Sequence, residues 1–240
     1  MKKRFILVIA LFVIALAAPA SIRASAPASK CEDTDRDCKE FEQMLDAQQP
    51  DKVIARYEAA KTAQYSAGAL RYIGDAYLLL ASREDITPEQ ELGYYQKALE
   101  VKHYIAYMGL YFFYAQKDEE KALGFLREYV KTGPKDTVPY VILGESELNK
   151  KHYKLADAYL REGKKVAHAH SPRVDWLLFQ ANYLLGNYQF AAEMLESALT
   201  NGTFEKEVTA LSSDVRFKGI ESRPEFQKHR SLFKAASGRP

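Results

Sequence analysis

Residue types capable of bond-making chemistry are sparse in this 240-residue sequence, and few of them are grouped. Cys31 and Cys38 are its two cysteines. Seven residues of continuous helix would hold their Cα atoms about 10.5 Å apart, past the roughly 7 Å reach of a disulfide. Pairing therefore requires Glu32 to Asp37 to form a turn; free or intermolecular thiols are the alternative. A metal site would need two further ligands that this acidic segment does not supply, and a redox role normally uses C-x-x-C spacing. His168-Ala169-His170 is the other suggestive cluster. Two positions apart on a helix the rings diverge by about 200°, and no carboxylate or third histidine lies at a ligand spacing. A pair that caps a helix C-terminus, where the dipole favours histidine, or an exposed pair is the simpler reading. There is no Gly-rich phosphate loop, no G-x-S-x-G elbow and no H-E-x-x-H. Asn201-Gly202-Thr203 matches a glycosylation acceptor, but Gly202 as a helix stop explains the same residues. The sequence predicts no catalytic residue, no metal and no cofactor.

Charge and targeting narrow the class further. Lys2, Lys3 and Arg4 precede an apolar run from Phe5 to Ala18, and small residues follow. The run is too short for a comfortable membrane span, so residues 1–26 read as a secretory signal, with an uncleaved anchor as the alternative. Of 34 basic residues, four (Lys2, Lys3, Arg4 and Arg23) leave with the signal; the remaining 30 face 32 acidic ones, and the formal charge falls from +2 to −2. No concentrated basic face remains to suggest nucleic acid. Arg223, Lys228 and Arg230 are interspersed with Glu221 and Glu225, the pattern of a solvated helix face. Export to an oxidising compartment also makes a Cys31–Cys38 bridge reasonable.

What positions any functional side chain is a repeated helical pattern. Gly74, Gly109, Gly144 and Gln180 fall at intervals of 35, 35 and 36 residues, with bulky and small residues alternating around each. Leu70, Ile73 and Tyr77 precede Leu92, Tyr95, Ala98 and Leu99. Tyr104, Met108 and Phe112 precede Ala122, Leu126 and Tyr129. Tyr140 and Leu143 precede Ala156, Leu160 and Gly163. Trp176, Phe179, Tyr183 and Gly186 precede Ala191, Leu195 and Ala198. Small residues allow helix axes to approach to about 8–10 Å, and a repeat of this period marks helix hairpins that bury their faces by stacking. Alternating strand patterns are lacking. The expected fold is all-α, an α-solenoid of about four hairpins with helical caps: 27–65 an N-terminal cap, 66–202 the array, 203–240 a C-terminal cap. In that last segment 203–211 predicts a short helix, and Ser222-Arg223-Pro224-Glu225 predicts a capping box opening another.

These residues resemble the tetratricopeptide repeat family. The fourth copy matches its signature spacing apart from Gln180; the third departs at Glu147 and Gly163; the first, with its longer inter-helix link, is similar to Sel1-like repeats. The resemblance implies a non-catalytic scaffold whose first helices line a concave surface. By register that surface takes Arg71, Tyr72 and Asp75 from the first copy and His103, Tyr107, Leu110, Phe113 and Tyr114 from the second. Val138, Val141, Ile142, Glu145 and Asn149 follow in the third, then Val174, Leu177, Leu178 and Ala181 in the fourth.

Such a wall suits a protein or peptide partner with an apolar or amphipathic segment, and the crowding of Tyr104, Tyr107, Tyr111, Phe112, Phe113 and Tyr114 exceeds one buried stripe. The same residues are core if the protein's own termini fill the groove. The functional expectation is an exported adaptor, periplasmic or secreted if bacterial, serving assembly of an envelope complex. A self-associating structural subunit, or a small-ligand binder or enzyme, stands as the alternative. Neither nucleic acid nor a membrane span after signal cleavage is expected.

Overall fold

The computed structural model describes residues 31–32, 34–60, 62–167, 171–202 and 204–236. Residues 1–26, read above as a signal, and His168 and His170 lie outside them. Among the described residues there is no strand, and no helix is long and apolar enough to cross a membrane. The chain divides into two compact units, Met1–Gly133 and Pro134–Pro240. Each is a stack of helix hairpins.

The first unit holds α1 (Arg36–Asp46), α2 (Pro50–Ala59), α3 (Ala67–Ala81), α4 (Pro88–Glu100), α5 (Ala106–Tyr114) and α6 (Glu119–Lys131). Local chemistry starts these helices. Asp35 caps α1 by accepting from the Cys38 N–H, Ser66 caps α3 through the Ala69 N–H, and Asp118 caps α6 through the Lys121 N–H. Thr87 and Gln90 form a reciprocal capping box at α4, with Pro88 in its first turn, satisfying amides that no helical carbonyl reaches. The segment expected as an N-terminal cap folds as a hairpin, with α1 and α2 both packed on α3. The core of this unit gathers Cys38, Phe41, Val53, Ile73 and Tyr77.

The second unit contains α7 (Val138–Asn149), α8 (Tyr153–Val166), α9 (Pro172–Leu184), α10 (Tyr188–Asn201), α11 (Glu205–Ser212) and α12 (Arg230–Ala236). Three 3-10 turns, Val215–Phe217, Ile220–Ser222 and Pro224–His229, separate the last two helices. Ser222 does not cap the turn that follows; Arg223 holds that position without a side-chain capping bond, so the expected capping box is replaced by 3-10 geometry. The C-terminal elements supply rings to α9: Phe204 stacks on Trp176 at 5.1 Å, and Phe217 and Phe226 each lie 6.0 Å from Phe179.

The periodic small residues do serve close approach, but against different neighbours. A Cβ on Gly144 would come within 2.5 Å of Leu160 in α8 of the same hairpin. On Gly109 it would strike the Tyr95 ring of α4, and on Gly74 the imidazole of His103. The departures at Glu147 and Gly163 have reasons too. Gly163 admits Tyr140, whose Cβ would lie 2.9 Å from an added methyl. The Glu147 carboxylate, 2% exposed, meets His152 Nδ1 at 2.8 Å in the turn after α7.

Candidate functional site

In the first unit α3 turns Ile73, Ala76 and Tyr77 into the core and leaves Arg71, Tyr72 and Asp75 half-buried. Arg71 Nε approaches Asp75 Oδ2 at 3.8 Å one helical turn away. On the other side of Asp75, His103 Nε2 lies 3.2 Å from Oδ1. That contact lacks hydrogen-bond alignment, and the nitrogen is buried without a partner. His103 is 8% exposed, so the imidazole packs behind the carboxylate and does not project from the face.

Tyr72 donates its hydroxyl to Glu42 Oε1 of α1 at 2.6 Å. Burial, with the Glu42 hydrogen bond and charge, pushes its phenol up to about 12. The hydroxyl is therefore engaged by the first hairpin.

The nine residues of α5 carry five aromatic rings, which one packed stripe cannot absorb. Met108, Leu110 and Tyr111 are buried. Leu110, expected on the concave wall, is 2% exposed and is corrected to core: its side of the nine-residue helix is the one that packs. Tyr107 spans toward α6, its ring 6.4 Å from both Phe125 and Tyr129, and Tyr114 stacks on Phe125 at 5.6 Å. Phe113 meets Tyr114 edge-on at 5.0 Å. Lys117 and Lys121 place their ammonium groups 4.0 and 3.9 Å from the Phe113 and Tyr114 ring centroids, within cation–π range. Tyr104 lies parallel to Tyr107 and is 40% exposed. Tyr104, Tyr107, Phe113 and Tyr114, with Phe125, thus make a partly open aromatic shelf edged by two lysines.

The second unit differs. Glu145 accepts from Arg173 at 2.8 Å, while Asn149, the last residue of α7, is exposed. Val174, Leu177, Leu178 and Ala181, expected to line the wall, are all at most 2% exposed. They are core, because α9 packs on α7, α8 and α10 as well as under the C-terminal rings. A helix apolar on every side is buried on every side.

Sequence reasoning missed the polar groups inside this unit. Asp175, 1% exposed, accepts from Lys164 of α8 and, at 2.6 Å, from Ser197 of α10. Asn182, fully buried, donates to Asp157 at 2.6 Å and to the Leu178 carbonyl at 3.0 Å, and accepts from Asn187 at 3.1 Å. The signal was available: each interrupts an apolar run in α9. These residues join three helices and have the burial of structural groups.

A crevice of about 600 Å³ opens beside them, lined by Arg161, Asn182, Asn187, Tyr188, Phe190 and Glu225. Arg161 is tied to Asp157 and stacked on Phe190, and Tyr188 is covered by Arg223 at 3.5 Å. Among the described residues no group of three or more His, Cys, Asp or Glu side chains is placed to hold a metal. Asn201, first residue of the glycosylation motif, donates to the Ser197 carbonyl at 2.8 Å; Thr203 lies outside the described residues.

Cys31 and Cys38 are bridged, with Cα atoms 5.6 Å apart. The turn is shorter than the spacing required: α1 begins at Arg36, so Cys38 already lies in its first turn.

No family model matches the chain, and no curated protein matches it. Among solved structures it is similar to a chain of the crystal structure of the APC/C hetero-tetramer Cut9-Hcn1, with 13% identity and a TM-score of 0.41 over 86% of this chain. This chain spans 39% of that one.

Proposed function

We propose that the protein is a non-catalytic scaffold that binds another protein, and that its contact surface is carried by α3 and α5 of the first unit. The observation that supports this most is the aromatic surplus of α5. Hairpin packing uses Met108, Leu110 and Tyr111, while Tyr104 stays 40% exposed and Tyr107, Phe113 and Tyr114 remain half-buried. Large rings gain in proportion to the apolar area they still expose, and partly open aromatic clusters offer a partner that area. Arg71 and Asp75, a quarter exposed and loosely paired, supply polar handles. The partner of this reading offers an apolar or amphipathic segment whose ordering cost is reduced by docking on a rigid helix face.

Residues 1–26 have the composition of an export signal, and a cysteine pair is at home in an oxidising compartment. The reading therefore extends to an exported adaptor acting in assembly of an envelope complex.

Affinity capture from the exporting compartment tests it with three proteins: the natural sequence, Tyr104→Ala combined with Arg71→Ala, and Leu232→Ala as an exposed control in the second unit. Loss of the captured partner from the double variant alone is expected. Retention of that partner by the double variant, with circular dichroism unchanged, refutes the assignment. Light scattering of the mature chain is expected to give a monomer and distinguishes an adaptor from a self-associating subunit.

A further inference from the structure

The two sulfurs of the Cys31–Cys38 bridge have unequal surroundings. Cys38, in the first turn of α1, is 0% exposed and sits in a core cluster with Phe41, Val53, Ala69 and Ile73. Gly68 of α3 closes over it, so near that an added Cβ would lie 2.8 Å from the Cys38 sulfur. Cys31 lies outside the helix, against the edge of the same cluster, and is part-exposed. Thiol–disulfide exchange requires a thiolate to reach one of the two sulfurs, and access decides which.

We propose that the bridge is a one-sided thiol-exchange site, opened by small thiols at Cys31 with Cys38 as the leaving sulfur. A thiolate attacks the Cys31 sulfur, a new S–S bond forms there, and the Cys31–Cys38 bond breaks with its electron pair on the Cys38 sulfur. The backbone amides of the first turn of α1 favour that thiolate. Asp35, Asp37 and the apolar surroundings oppose it, and it takes up a proton. A second thiolate then attacks the mixed disulfide, releasing the Cys31 thiol and carrying away the oxidised thiol pair.

Opening the bridge unties Cys31, Glu32 and Thr34 without unseating α1. The helix keeps the Asp35 cap on the Cys38 N–H, the hydrogen bond from Ser66 to Asp35, the Arg56 contacts to Asp37 and Glu40, and the Tyr72–Glu42 bond. The bridge thus acts as a redox-releasable tether on Cys31, Glu32 and Thr34, just ahead of α1, whatever partner the scaffold binds.

The test uses the full chain, native, in glutathione, with acid quenching, alkylation of thiols after denaturation, and peptide mass spectrometry. The glutathionyl group is expected on Cys31 and the alkyl group on Cys38, with a preference of about tenfold or more that falls to within about twofold in denaturing urea. An equal or reversed distribution in the native chain overturns the proposal, as does a bridge that opens only in urea. Hydrogen exchange supplies the second readout. On reduction the Asp35 amide, which donates to Glu32 in the bridged chain, is expected to lose protection while the amides of Phe41 to Leu45 keep theirs. Loss across α1 overturns the tether.

Discussion

Replacing glycine by alanine at three helical positions is expected to change stability in opposite directions, for reasons fixed by what an added methyl would touch. At Gly93 in α4 and Gly124 in α6 an added methyl would meet nothing within 4 Å beyond its own stretch of helix backbone. There alanine only removes the entropic cost of glycine, a gain of about 0.5–1 kcal/mol. At Gly144 the same methyl gains the same propensity but lands 2.5 Å from Leu160 Cγ and 2.6 Å from its Cδ2. Leu160 is fully buried and has little room to yield. Overpacking costs about 1–3 kcal/mol; against a fully buried Leu160 the middle of that range, about 2, outweighs the propensity gain, and the net effect is a loss of about 1 kcal/mol. For a unit of roughly a hundred residues that lowers Tm by about 4–8 °C per kcal/mol. Trp176, the single tryptophan, lies in the second unit. Its fluorescence follows the Gly144 variant in urea, and hydrogen exchange follows the variants in the first unit. Leu160→Ala alone should cost about 2–5 kcal/mol, but in the Gly144→Ala background the freed space receives the methyl, so the double-mutant cycle should show coupling of about 1–2 kcal/mol. A Gly144→Ala protein as stable as the original, or a cycle with no coupling, refutes the packing assigned to this hairpin.

Other perturbations separate the roles of particular groups. Asp175→Ala removes the acceptor shared by Lys164 and Ser197; because Lys164 is 41% exposed and recovers water, the expected loss is about 2 kcal/mol, against about 1 kcal/mol for Asp175→Asn, both read from Trp176 fluorescence in urea. The Tyr72 phenol is raised to about 12 in the fold, above its unfolded value near 10, so its contribution is complete below pH 10 and fades as pH rises toward 12. Tyr72→Phe should lower the slope of that part of the pH–stability curve of the first unit, the remainder coming from Tyr77 and Tyr95, also raised by burial, and an unchanged curve counts against the Glu42 bond. Reducing the bridge, whose closed loop is about eight residues, should lower the unfolding free energy of the first unit by about 2.5 kcal/mol in denaturant titrations. Lys151, left-handed at φ 64 after α7, should yield about 0.5–1 kcal/mol of added stability as Lys151→Gly in thermal unfolding, since only glycine adopts that conformation without strain.

The hairpins were legible because helix caps and periodic small residues act locally. Ser66, Thr87, Pro88 and the glycines that admit Tyr95 and Leu160 are visible as residue types in the sequence itself. The wall expected on the first helices was less legible, since register says which side of a helix a residue occupies but not what later elements place there. Leu177 and Leu178 read as wall until the packing of α9 turns them into core, and Tyr107 and Tyr114 read as open until Phe125 of α6 meets them. Asp175 and Asn182 escaped notice for the converse reason. A polar residue in an apolar helix carries no indication of its partners, which here come from α8 and α10.

The contrast between α5 and α9 bears directly on where a partner can gain free energy. Both helices are apolar around most of their circumference. In α9 the rings of Trp176, Phe179 and Tyr183 are no more than 6% exposed, and Phe204, Phe217 and Phe226 meet them from the same unit. Additional contact there would remove almost no apolar surface from water. In α5 the rings cluster mainly with one another and with α6, and Tyr104, in the turn just ahead of the helix, remains open. Hydrophobic association is proportional to the area still exposed before contact, at about 25 cal/mol per Å². A helix whose rings are half-covered retains that driving force, and a helix already sealed has spent it in folding. A partner that binds through apolar contact should therefore lose affinity with substitutions on α5 and stay indifferent to conservative changes at Leu177 or Leu178 that preserve the fold.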